Sequence, residues 1–172
     1  MNAQSILQAQ MQQAHQTLEA VIGDCSQETL HNEPGGTVGS IASIYAHTVF
    51  DEDMVVNGMI QGKPPVLQSG GWGAKINVPH PGSPMQTPEW AKSVQITDLA
   101  TFQQYAQAVY GSTDAFLASA TDAEMERVLD TGFMGKQTVA FVLAGVAAWH
   151  VMSHQGEISA LKGAQGQKGL PF

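Results

Sequence analysis

Apolar residues recur three or four positions apart in four stretches of the chain, which is the spacing of one face of an α-helix. The first stretch lies in a glutamine-rich background, and its apolar positions are Leu7, Met11, Ala14, Leu18 and Val21. This pattern predicts an amphipathic helix with one face in water. The proline and glycines of residues 32–36 interrupt the pattern and predict a turn.

The second predicted helix runs from about Val38 to Ile60 and has polar residues among its inward positions. Its inward stripe is Ile44, His47, Asp51 and Met54. Residues at this spacing stack on one side of a helix. The imidazole and the carboxylate of this stripe are therefore expected to point toward the interior of the protein.

A third helix is predicted after Thr97 or Asp98, either of which can cap it. Its apolar stripe is Leu99, Phe102, Ala106, Val109 and Phe116. Residues 121–124 then match a capping box, which opens a short helical segment. We expect this segment to pack Met125 and Leu129 inward.

The last predicted helix begins near Gln137, runs to about Leu161 and ends at Gly163, a residue type typical of C-caps. It is apolar on nearly all sides over Val139–Trp149. We therefore expect it to be the most buried element.

No helical period persists over residues 61–96, where six of the eight prolines fall. This stretch is predicted to be a long crossover between the second and third helices, a connection that lets neighbouring helices run parallel. Strand-like alternation is weak throughout. The sequence therefore predicts an all-α fold, a four-helix bundle with a long crossover between helices 2 and 3, in one domain spanning residues 1–172.

Charge excludes several classes of partner. The chain has 7 basic and 15 acidic residues and a formal net charge of -8, whereas nucleic acids and anionic membranes require clustered basic side chains. The longest apolar run, Val139–Trp149, is shorter than a membrane span. The start of the sequence lacks the pattern of a signal peptide, and the lone Cys25 cannot form an internal disulfide. We expect a cytoplasmic protein.

Three of the six histidines occupy inward positions. His150 and His154 are four residues apart on the last predicted helix, and His47 lies on the stripe of the second. The first two share their helix face with Leu143, Ala147, Ile158 and Leu161. Neutral imidazole is a good ligand for Zn, Ni, Fe or Cu. The pattern therefore indicates a metal site; the alternative is a set of core histidines hydrogen-bonded to protein groups.

Two segments carry a family resemblance. HVMSHQGEI at residues 150–158 resembles the HxxxHxGQI signature on the last helix of the DinB/YfiT family of metal-binding four-helix bundles. GTVGSIASIYAH at residues 36–47, with Asp51 one turn further on, resembles the family's second helix. The order of elements also matches. The metal ligands that the resemblance implies are His47, His150 and His154.

The resemblance also implies a function. Several members of the family are thiol-dependent transferases or isomerases that use a low-molecular-weight thiol such as bacillithiol or mycothiol, and a metal-bound thiol becomes a nucleophilic thiolate. The chain is thus expected to be a metal-dependent enzyme that binds zinc or nickel, uses a small thiol as a cofactor and acts on a small-molecule substrate. The alternative is a non-catalytic metal-binding or stress-associated bundle protein. The resemblance and the apolar stripes favour a homodimer.

Two carboxylates lie close to the predicted ligands. Asp51 can orient a ligand or accept a proton, or it can begin a water-exposed acidic cluster with Glu52 and Asp53. Glu157 stands where the family signature has glutamine. It keeps a hydrogen-bonding side chain and adds a negative charge near the predicted metal.

The remaining candidates have weaker patterns. His80, in the crossover, can be a fourth ligand, a substrate contact or a surface histidine, and Trp72 can wall a pocket over the metal or pack the crossover onto the bundle. Lys136, at the mouth of the last helix, is the nearest cation available to hold an anionic thiol. His15 and His31 are expected at the surface.

Overall fold

The structure, a computed structural model, describes residues 3–35, 37–82, 87–132 and 134–170. Gly36, the last residue of the predicted turn, and residues 83–86 of the predicted crossover lie outside the described residues. The elements follow in this order: α1 (Ala3–Ile22), α2 (Gln27–His31), α3 (Ile41–Asp53), a π-helical segment (Met54–Ile60), α4 (Val66–Ser69), α5 (Gly73–Ile76), α6 (Pro88–Ser93), α7 (Leu99–Ser119), α8 (Asp122–Glu126), β1 (Val128–Asp130), β2 (Lys136–Thr138), α9 (Val139–Val142), a second π-helical segment (Leu143–Ala148) and α10 (Trp149–Ala164).

Four long helices form the body of the fold. The first and third are α1 and α7; the second is α3 with the π-helical segment that follows it, and the fourth runs from α9 through the second π-helical segment into α10. α1 packs against α7 and α10, and α3 packs against the same two helices. The predicted all-α bundle with a long crossover between its second and third helices is confirmed.

The crossover is a packed layer and contains the short helices α4, α5 and α6. α4 and α6 contact α3, and α4 and α5 contact α7. The Trp90 indole N–H donates to the Pro79 carbonyl at 2.7 Å. In the part of the crossover that the structure describes, the buried apolar residues are Ile76, Val78, Trp90, Val94 and Ile96. Because the crossover covers it, α3 is the most buried long helix, with 12 of its 13 residues buried.

The prediction that the last helix is the most buried element is wrong. Phe141 is 48% exposed and Trp149 is 62% exposed, because the crossover covers α3 and α7 rather than this helix. Its apolar outward face is left in contact with water. Within the described ranges, no helix combines the length and the apolar character needed to cross a membrane.

A short antiparallel hairpin, which the hydrophobic pattern does not predict, precedes the last helix. β1 and β2 pair with Leu129 opposite Gln137, and Gly132 and Gly135 adopt positive φ angles between the strands. Met125 is buried on α8 as predicted. Leu129, predicted on the same helical segment, instead lies in β1 and is partly buried against the apolar cluster that includes Met125, Val139 and Val142.

Met54, predicted on the inward stripe of the second helix, is 38% exposed. The first π-helical segment begins at this residue, and its wider turn departs from the 3.6-residue period on which the prediction depended. The inward stripe therefore ends at Asp51.

Ser40 caps α3, so the Ser40→Ala substitution should destabilise the fold by about 1 kcal/mol. The side-chain oxygen of Ser40 accepts a hydrogen bond from the backbone N–H of Ser43 at 3.3 Å. The measurement is the free energy of unfolding by urea, with Ser119→Ala at the exposed end of α7 as the control. Equal losses of stability in the two variants would show that the Ser40 cap makes no specific contribution to the free energy of unfolding.

Candidate metal centre

Three histidines converge between α3 and α10. His47 comes from α3, and His150 and His154 lie one turn apart on α10. The Nε2 atom of His150 is 3.0 Å from Nε2 of His47 and 3.1 Å from Nε2 of His154. Among the described residues, this is the only group of three or more His, Cys, Asp or Glu side chains placed to hold a metal ion. The side chains are 9%, 20% and 16% exposed respectively, so the cluster is enclosed but reachable from water.

The ring hydrogens of the three histidines cannot make hydrogen bonds of both close Nε2–Nε2 contacts. Nδ1 of His154 lies 2.8 Å from a carboxylate oxygen of Glu157 and therefore carries a hydrogen. In a neutral His154 the other nitrogen, Nε2, then has no hydrogen and can only accept. A single hydrogen on His150 Nε2 cannot serve His47 and His154 equally well. At most one of the two contacts is an ordinary hydrogen bond. A divalent metal resolves this arrangement, because each Nε2 atom can donate its lone pair.

Burial keeps two of the rings neutral. Burial is the main cause that lowers the pKa of His47 to about 4. Burial also lowers the pKa of His150 to about 3, again with contributions from the neighbouring rings. Because only the neutral imidazole binds metal, both rings are in the ligating form at neutral pH.

Glu157 orients His154. Its hydrogen bond to His154 Nδ1 leaves Nε2 turned toward the other two rings, the arrangement by which carboxylates commonly support metal-binding histidines. This hydrogen bond is also the main cause that lowers the pKa of Glu157. A carboxylate in place of the glutamine of the family signature therefore has a direct role here as a hydrogen-bond acceptor.

Asp51 lies beside two of the three rings. Its carboxylate oxygens are 3.5 Å from His47 Nδ1 and 3.7 Å from His150 Nε2. These contacts are within ion-pair range but are too long or poorly directed to be hydrogen bonds, and His47 Nδ1 is a buried side-chain nitrogen without a hydrogen-bond partner. Burial raises the pKa of Asp51 to about 7. Asp51 is thus a half-buried carboxyl group that can gain or release a proton next to the cluster.

Asp51 does not begin a water-exposed acidic cluster, because both neighbouring carboxylates are buried. Glu52 contacts His15 Nε2 at 2.8 Å and accepts a hydrogen bond from the Thr113 hydroxyl at 2.6 Å. His15, predicted at the surface, is 5% exposed and stacks on Tyr110. His31 is half-buried, and its Nε2 accepts the backbone N–H of Ile96. The surface prediction was therefore wrong for His15.

Asp53 anchors the crossover. Its carboxylate accepts hydrogen bonds from the Asn57 side chain at 2.9 Å and the Tyr105 hydroxyl at 2.9 Å. It also accepts the backbone N–H groups of Val66 at 2.8 Å and Leu67 at 2.9 Å, which open α4. The three consecutive acidic residues therefore face three different neighbours: the histidine cluster, helices α1 and α7, and the crossover.

The two crossover candidates lie outside the cluster. The Trp72 ring is 6.1 Å from the Tyr105 ring, and the Lys75 ammonium is 4.4 Å from the Trp72 ring centre, so Trp72 packs the crossover onto α7. The His80 ring contacts Phe50 at 5.1 Å between centroids. His80 is not brought together with the three converging histidines.

Lys136 is not close to the cluster. It lies in β2, before the last helix begins at Val139. Eleven residues of helix then lead to His150, a rise of about 16 Å. The expectation that Lys136 can hold an anionic thiol at the metal is therefore wrong.

The sequence of this chain matches the model of a known protein family over most of its length. The family model described as the DinB superfamily matches residues 10–158. The chain belongs to the DinB superfamily. A search of curated proteins finds no significant sequence match.

Two solved structures have a similar fold. The crystal structure of a conserved protein from Enterococcus faecalis superposes with a TM-score of 0.83 at 18% identity, covering 94% of this chain and 96% of that one. YfiT from Bacillus subtilis, described as a probable metal-dependent hydrolase with an unusual four-helix bundle topology, gives a TM-score of 0.63 at 13% identity, covering 96% of this chain and 89% of that one.

Glu157→Ala should lower the affinity for zinc by about 10- to 100-fold, because His154 loses the acceptor that fixes its orientation. Glu157→Gln should lose less of the zinc affinity, since the amide oxygen can still accept a hydrogen bond from His154 Nδ1. Isothermal titration with zinc measures both, and Glu126→Ala, at an exposed position of α8, is the control. Wild-type affinity in Glu157→Ala would contradict the orienting role.

Proposed function

We propose that the protein is a divalent-metal-dependent enzyme in which His47, His150 and His154 hold the metal and Asp51 accepts a proton from the attacking nucleophile. The observation that supports this is the position of the Asp51 carboxylate beside two of the three rings. Three protein ligands leave a coordination position free, as in catalytic sites. When bound, a divalent metal supplies Lewis acidity, which lowers the pKa of a coordinated water or thiol.

Water is the nucleophile that we propose first, which makes the protein a hydrolase that uses zinc or nickel. YfiT from Bacillus subtilis, which shares the fold, is described as a probable metal-dependent hydrolase. An anionic thiol cofactor would need a cationic anchor. In the described part of the chain, Arg127 pairs with Glu124, Lys162 pairs with Asp24 and Lys75 lies over the Trp72 ring, so these three cations are engaged away from the cluster. Water needs no such anchor.

Thiol-dependent transfer is the second candidate. His150 and His154 are partly exposed, so the cluster is accessible to a small thiol as well as to water. Such a reaction requires a reducing compartment, and a chain whose single cysteine is Cys25 fits the cytoplasmic location that we propose. Burial raises the pKa of Cys25, so this residue is not an activated nucleophile itself.

Asp51→Asn should lower kcat by roughly 100-fold or more, the usual contribution of a positioned acid or base, without loss of metal. The assay offers metal-loaded protein a panel of esters and amides, and separately a panel of thiols with epoxide and haloalkane electrophiles. Asp122→Asn, in the first turn of α8 and exposed, is the control. Turnover of the first panel supports hydrolysis, and turnover of the second supports thiol transfer. If metal-loaded protein turns over neither panel, the enzymatic proposal fails and the non-catalytic alternative stands.

A further inference from the structure

The charged groups next to the three converging histidines are negative. In the described part of the chain, the ion-pair contacts of the rings are with carboxylates: Asp51 lies beside His47 and His150, and Glu157 lies beside His154. Several basic side chains have partners elsewhere, namely Lys63, Lys75, Arg127 and Lys162. An anionic ligand at the cluster would therefore meet charges of its own sign, which weakens binding.

Exposure increases across the site toward Glu157. The side chain of His47 is 9% exposed, the two rings of α10 are 20% and 16% exposed, and the side chain of Glu157 is 40% exposed. The exposed neighbours of Glu157 on α10 are uncharged: Ser153, Gly156 and Ala160. A ligand that approaches the histidines from the α10 side therefore meets the charge of Glu157 first.

The hydrogen bond to His154 occupies only one oxygen of Glu157. Oε2 accepts the Nδ1 hydrogen at 2.8 Å, and Oε1 has no hydrogen bond or ion pair with another described residue. A neutral amide at this position would also accept from Nδ1, so orienting the ring does not require a charge. The carboxylate adds a negative charge and a free acceptor at the mouth of the site. Such a group binds an ammonium through a charge-assisted hydrogen bond.

Glu157 and the converging nitrogens lie on opposite sides of one imidazole ring. Glu157 contacts Nδ1 of His154, whereas Nε2 of His154 faces His150. A small molecule whose reacting group lies at the Nε2 atoms can therefore reach Glu157 with a substituent a few bonds away. The site thus has one position for a reacting group and a second, negatively charged position for a substituent.

We propose that this centre acts on small esters or amides that carry an ammonium group, which the free oxygen of Glu157 binds at the mouth of the site. The inference rests on the proposed function, because it assigns a substrate class to the same centre. The net charge of -8 also favours cations, since the field of an acidic protein raises their local concentration. Molecules with a carboxylate or phosphate in place of the ammonium should bind poorly.

Three hydroxamates that differ only in their terminal group measure this preference. β-Alanine hydroxamate ends in an ammonium, butanohydroxamate has a methyl group in its place, and succinic monohydroxamate ends in a carboxylate. Isothermal titration of the zinc-loaded chain should show the ammonium ligand binding about 5-fold more tightly than the methyl ligand, the upper range for a partly exposed charge pair. The carboxylate ligand should bind most weakly. At about 1 M salt, which screens charges beyond about 3 Å, the preference should shrink.

Glu157→Gln should remove the preference for the ammonium ligand. The amide can still accept from His154 Nδ1, and the readout is the ratio of two ligand affinities in one variant, so a change in zinc affinity cancels. Glu126→Gln, at an exposed position of α8, removes the same charge from another surface. This matched control should keep the wild-type preference.

The outcomes separate this inference from the proposed function. If the three ligands bind the zinc-loaded wild type equally, or if the carboxylate ligand binds most tightly, the substrate class is wrong while the proposed function stands. A preference that is unchanged in Glu157→Gln would overturn the binding role of Glu157. If none of the ligands binds the zinc-loaded chain, the metal has no open coordination position and both proposals fail.

Discussion

Replacing His150 with alanine should lower the affinity for zinc or nickel by roughly 100-fold or more while the chain stays folded. The loss should exceed the 10- to 100-fold range typical of residues that only support a ligand, because His150 lies between the other two rings and contacts both Nε2 atoms. Alanine is a strong helix former, so α10 should persist. Competition with a chelator of known affinity measures the change in binding constant.

His80→Ala is the matched control for this experiment. His80 is a histidine of the crossover that contacts Phe50 and lies outside the cluster. Its removal should leave the metal affinity unchanged. If His80→Ala loses metal as severely as His150→Ala, the crossover supplies a ligand and the three-histidine assignment is incomplete. If His150→Ala binds as tightly as the wild type, the cluster is not the metal site.

Asp53→Ala should destabilise the fold by about 3 kcal/mol, the largest effect that we expect for a single substitution outside the cluster. The carboxylate is 1% exposed and accepts hydrogen bonds from Asn57, Tyr105 and the backbone of Val66 and Leu67. Its removal leaves these donors without an acceptor in the interior. Urea unfolding measures the loss of stability.

Two further measurements show whether the loss arises at the crossover. Asp53→Asn keeps one acceptor oxygen and should lose less stability than Asp53→Ala. Asp114→Ala, at a partly exposed position of α7, should change the free energy of unfolding little. Amide exchange at Val66 and Leu67 should accelerate more than exchange in α1. A loss of stability below about 1 kcal/mol in Asp53→Ala, under the cost of one unsatisfied buried group, would contradict the anchoring role.

Periodicity alone predicted the bundle and the placement of the three histidines. The inward stripe of the second helix put His47 on the buried side, and the four-residue spacing put His150 and His154 on one face. The structure brings all three together, while metal binding itself stays a prediction. The hairpin could not be predicted in this way, because three-residue strands are too short to show alternation.

The buried carboxylates were missed for a different reason. Three consecutive acidic residues suggest a surface, and nothing local reveals that Thr113 and Tyr105, more than fifty residues away, supply hydrogen bonds to two of them. The apolar character of residues 139–149 posed a related problem. An apolar helix face can pack inside one chain or between two copies, and the sequence pattern is the same in both cases.

The metal content of the protein tests the central claim most directly. The chain should be purified without a nickel column, dialysed against trace zinc and nickel and analysed for metal by mass spectrometry. We expect about one divalent ion per chain in the wild type and almost none in the folded variant that lacks His47, His150 and His154. A wild-type content near zero, or an unchanged content in that variant, would contradict the account.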